Sequence, residues 1–71
     1  MDPAMSAVHG NIDRLNELIR RTNKEEAEAD LMPQGAAKAG QHQRIQRECG
    51  EYICKIAADL NNIGARLRAQ A

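Results

Sequence analysis

The sequence predicts an all-α protein, an antiparallel hairpin of two long helices, and three observations carry that prediction. In the C-terminal half the apolar residues Ile45, Cys49, Tyr52 with Ile53, Ile56, Leu60, Ile63 and Leu67 recur by threes and fours, the spacing of one face of a helix. In the N-terminal half Val8, Ile12, Leu15, Leu18, Ile19, Ala29 and Met32 do the same, with Asp, Glu, Arg and Asn between them. Between the halves stands Pro33, followed by Gly35 and Gly40 among small residues, which is turn chemistry of the length that joins antiparallel helices. Abundant Ala and the absence of β-branched runs favour helix over strand.

The first helix is expected over residues 6–32. Ser6 or Asn11 is placed to cap it, and Pro33 ends it because the residue before a proline avoids the α region. A loop is expected over 33–40 and the second helix over 41–69, so that 6–71 forms a single hairpin domain. Met1 to Met5 read as an expression remnant or disordered start, since Met5 is followed by Ser6 and Ala7, small residues that commonly follow a start methionine. Gly50 and Gly64 interrupt the second helix, where each costs up to about 1 kcal/mol relative to Ala. They mark either tolerated poor helix formers or a face where a second backbone approaches.

A hairpin of 71 residues has little core of its own, worth about 3–5 kcal/mol at this size. Tyr52 is the only aromatic residue, so no cluster of large rings supplements Ile and Leu. The apolar stripes on both helices are wider than one neighbouring helix can cover, which predicts that two hairpins pair into a four-helix bundle or a higher helical oligomer. The residues expected to carry self-association are Ile12, Leu15, Ile19, Cys49, Ile53, Ile56, Leu60, Ile63 and Leu67.

Charge is balanced, with ten basic and ten acidic side chains, so no global field draws the chain to nucleic acid or to anionic lipid. The acidic stretch Glu25, Glu26, Glu28 and Asp30 is expected to lie beside Lys38, Arg44 and Arg47 across the hairpin and to fix its register. At the open end Arg14, Arg20 and Arg21 are expected near Arg66 and Arg68, a basic patch able to meet an anionic partner. No run of about 18 apolar residues is present and no signal-peptide pattern follows the N-terminus. The chain therefore reads as cytoplasmic, with the host cytoplasm as the equivalent location for a phage or mobile-element product, and without a membrane partner.

Chemistry finds little purchase in this composition. Cys49 and Cys54 are five residues apart, about 140° around a helix and about 8 Å or more between Cα atoms, too far for an intrachain disulfide. Neither pairs with His9 or His42 at ligand spacing, so no metal or other cofactor is expected. No nucleophile stands beside a base and an orienting carboxylate, and the glycine-containing loop lacks phosphate-cradling spacing, so no catalytic residue is assigned and the chain is not expected to be an enzyme. The expected function is a small non-catalytic interaction module, working as a homo-oligomer, that binds and regulates, inhibits or chaperones another protein. Two further classes fit less well: an oligomer that sequesters a small anionic ligand such as a nucleotide between subunits, and a nucleic-acid-associated regulator. Nucleic acid is disfavoured because neither a recognition-helix turn nor an aromatic stacking platform is present.

Overall fold

The computed structural model describes residues 2–71, and it is an all-α antiparallel hairpin: α1 spans Pro3–Asp30 and α2 spans Ala36–Gln70. The ends follow local chemistry. Asp2 caps α1, its Oδ1 accepting from the Ala4 backbone N–H at 2.8 Å, and Pro3 opens the first turn with its φ already helical. Ser6 and Asn11 are therefore interior residues rather than caps, and residues 3–5 belong to the helix instead of a disordered start.

The turn is tighter than expected, residues 31–35 rather than 33–40. The Leu31 and Met32 backbone N–H groups close the last turn of α1 onto Glu28 and Ala29 at 3.2 and 3.0 Å. Gly35 then reverses the chain at φ 149°, a backbone region open to glycine and strained for any residue with a Cβ. The Gly35 carbonyl accepts from Ala39 at 3.2 Å, and Ala36, Ala37, Lys38 and Ala39, strong helix formers, start α2 five residues earlier than 41. Gly40 is consequently helical.

One seam joins the two helices. On α1 it runs through Ala4, Val8, Asn11, Leu15, Leu18, Thr22, Glu25, Ala29 and Met32; on α2 it runs through His42, Ile45, Cys49, Tyr52, Ile56, Asp59 and Ile63. Steps of three and four alternate in both, the heptad repeat of a coiled coil. Among the described residues, only Leu18, Ala29, Ile45, Ile56 and Ile63 are buried apolar side chains, together with one polar residue, Asn11. The molecule is a thin rod of 55 × 18 × 9 Å with a radius of gyration of 16.5 Å, against about 11 Å for a compact chain of this length.

Asn11 shows how a polar group is tolerated in so thin a core. Its Nδ2 donates to the Ala7 carbonyl at 2.9 Å and its Oδ1 accepts from Arg14 at 3.0 Å; Arg14 also donates to Asp59 across the hairpin at 2.8 Å. The network ties one level of α1 to one level of α2, as a buried Asn specifies register in coiled coils. Replacing Asn11 with Leu should raise the melting temperature, because apolar burial replaces a polar group, while making hydrogen exchange in α2 less uniform as register loosens. A lower melting temperature would show that the network stabilises rather than specifies.

A Cβ built on Gly50 meets nothing within 4 Å, so this glycine serves no approach inside the hairpin. Gly50→Ala is expected to stabilise the helix by about 0.5–1 kcal/mol, read as a rise of about 2–8 °C in melting temperature. A fall would indicate a neighbour that the single hairpin lacks.

Candidate interaction surface

The heptad pattern divides the rest of the surface into two unlike flanks. In an antiparallel pair, the positions just after the second core position of each heptad face the same side of both helices. On α1 these are Met5, Ile12 and Ile19; on α2 they are Ile53, Leu60 and Leu67, each set spaced by sevens. Ile12 is 46% exposed, Ile19 51%, Ile53 46% and Leu60 37%. The Arg14–Asp59 ion pair and the Arg21–Tyr52 contact fix the level of one helix against the other. They put Ile12 beside Leu60 and Ile19 beside Ile53, so the six residues form one apolar strip along the open half of the rod.

The positions bordering that strip hold no carboxylate, Lys or Arg. They are His9 and Asn16 on α1 and Gly50, Ala57 and Gly64 on α2. At the hinge half the same flank changes character: His42 Nδ1 bonds Glu26, and its Nε2 lies 3.2 Å from Asp30. Lys38 adds a bond from its Nζ to the Asp30 carbonyl at 3.1 Å. His42, rather than Arg44 or Arg47, thus answers the acidic end of α1. Of the expected Lys38, Arg44 and Arg47, Lys38 reaches this end; the seam position of His42, between two carboxylates, gives it the side-chain pairs.

The opposite flank carries charge along its middle, at Arg14, Arg21 and Glu28 on α1 and at Glu48 and Lys55 on α2. Arg14 pairs with Asp59, Arg21 lies 3.9 Å from Glu25 and stacks 5.0 Å from the Tyr52 ring centre, and Lys55 covers the same ring at 5.4 Å. A shallow groove of about 350 Å³ runs here between Asp13, Arg14, Glu17, Leu18, Arg21, Tyr52 and Ile56. Its cations are matched by its own carboxylates. Arg20 pairs with Glu17, holding the Glu17 carboxyl below the usual carboxylate range through a hydrogen bond and direct charge attraction, and raising its own pKa in return.

The structure therefore separates the five arginines that sequence reading grouped. Arg66 lies at the level of Ala7 and Asn11, and Arg68 is beyond it toward the open end. Arg20 and Arg21 sit near Ile53 and Tyr52, about 20 Å further along the rod. The residues grouped for self-association also divide. Ile56 and Ile63 are buried between α1 and α2, Leu15, Cys49 and Leu67 are half-buried, and Ile12, Ile19, Ile53 and Leu60 face outward. Met5 joins the outward group although it lies in the segment expected to be a remnant or disordered start; its spacing of seven from Ile12 is the sequence signal for it. Cys49 and Cys54 are free thiols. Among the described residues, no helix is long and apolar enough to cross a membrane.

Compared with protein-family models, with curated proteins and with solved structures, the chain matches none.

The His42 clasp is the main polar tie at the hinge. His42→Ala should cost about 1 kcal/mol, lowering the melting temperature by about 4–8 °C and speeding amide exchange around Ala29 and Ala39 more than around Ile56. An unchanged exchange pattern would mean that the seam alone holds the hinge.

Proposed function

We propose that the chain is a small non-catalytic protein-interaction module which works in the cytoplasm as a homo-oligomer and binds, regulates, inhibits or chaperones another protein. The observation that carries this reading is the charge-free apolar flank of Met5, Ile12, Ile19, Ile53, Leu60 and Leu67. Monomeric proteins rarely leave a contiguous apolar strip in water, and such strips mark protein contacts. Nothing comparable supports the other two readings. A small anionic ligand would have to compete with Asp13, Glu17, Glu25 and Asp59 for the arginines of the charged groove. A nucleic-acid backbone would meet cations spread along the rod, with Arg14, Arg20 and Arg21 already paired to carboxylates, where phosphate binding calls for a continuous basic stripe.

Once copies associate through the apolar flank, recognition of a second protein falls to the surfaces left outside, chiefly the hinge with its exposed Leu31 and the acidic end of α1. Affinity capture with the whole chain from cells that express it, after nuclease treatment and at high salt, is expected to retain one protein in a fixed ratio to the bait. Retention of nucleic acid alone, or a melting-temperature rise with nucleotides and no protein partner, would contradict the reading.

A further inference from the structure

The apolar flank identifies its own occupant and the way that occupant must lie. We infer that two copies of this chain pack flank to flank about a two-fold axis perpendicular to the rods, with their open halves overlapped and their hinges pointing in opposite directions. This rests on the homo-oligomeric interaction module proposed above and deepens it by fixing the partner and its direction.

Area points to a second copy. The chain exposes 5388 Å², whereas a compact monomer of 7.8 kDa exposes about 4400 Å². The excess, about 1000 Å², is of the size that each partner in a standard interface buries, about 800 Å². A self-complementary surface also suits a two-fold contact, in which one patch must meet itself. The open half of the flank qualifies, because it bears no charge that would face its own copy: Met5 to Ile19 and Gly50 to Leu67 place only apolar, small or neutral residues on the strip and its border.

Direction follows from where the strip stops. It runs about 21 Å along each helix, from Met5 to Ile19 and from Ile53 to Leu67, and gives way to the His42, Glu26 and Asp30 cluster at the hinge half. A two-fold axis parallel to the rods would superpose the hinge halves as well, bringing two Glu26 and two Asp30 carboxylates toward one another with no apolar contact in return. The perpendicular axis, passing at the level of Ile12 and Leu60, overlaps the strips completely and leaves both clusters in water. Met5 of one copy then lies over the Ile19 level of the other. The result is a four-helix segment in the middle of a longer rod, with a two-helix arm and an exposed hinge at each end, so the dimer presents two identical hinge surfaces far apart.

The arrangement is read by an inter-subunit distance. A spin label is placed at the exposed hinge by Gln34→Cys in the whole chain, with Cys49→Ala and Cys54→Ala, and sedimentation velocity is run on the same sample. The expected result is a dimer with a label separation of about 60 Å, from the rise of the helices on either side of the axis. A dimer with labels within about 20 Å, the width of two helical layers, would overturn the opposed arrangement while leaving the homo-oligomer standing. A folded monomer would overturn both. Ile12→Glu with Leu60→Glu, at positions outside the hairpin seam, is expected to lower the association constant at least a hundredfold, and a variant that dimerises as well as the wild type would overturn the assignment of the flank.

Discussion

Everything in this molecule depends on a mismatch between one seam and two apolar faces. A pair of helices can share a single line of contact, yet α1 and α2 each carry apolar residues at three positions of the heptad instead of two. Leu18, Ile45, Ile56 and Ile63 close the hairpin. Ile12, Ile19, Ile53 and Leu60 cannot reach that line, because they sit at the position that turns toward the side of the rod. Within one chain these four side chains have no cover, and the thin profile and large surface of the rod go with that.

Polar groups refine this arrangement without supplying its driving force. Asn11, Arg14 and Asp59 pin the level of the two helices near the open end, and His42 with Glu26 and Asp30 pins it near the hinge. Exposed pairs such as Arg20 with Glu17 contribute little to stability, but along the charged flank they keep that side in water. Charge on one flank and its absence from the open half of the other give that half of the rod a defined sticky side. Surfaces built this way associate through a single face and remain soluble on the other.

The helices, their antiparallel pairing and the shortage of core were legible in the sequence, because three-and-four spacing and a Pro–Gly turn are local signals. The helix ends were less so. Asp2 as a cap lay within residues read as a remnant, and the Ala-rich start of α2 was assigned to the loop because two glycines bracket it. The division of the apolar ladder into Ile56 and Ile63 inside and Ile53 and Leu60 outside needed the register between helices, which long-range pairs such as Arg14 with Asp59 set. The same information dispersed the arginines: Arg20 and Arg66 share an end of the sequence pattern, yet they are about 20 Å apart along the rod.

The central claim is that the apolar flank is covered in solution and that the fold draws its stability from that cover. The concentration dependence of thermal unfolding tests this most directly, since association shifts apparent stability by mass action. Helicity followed by circular dichroism from low-micromolar to near-millimolar chain should give a melting temperature that climbs steadily with concentration. A single, concentration-independent transition of a fully helical chain would contradict the account, for it would mean that the seam of one hairpin suffices.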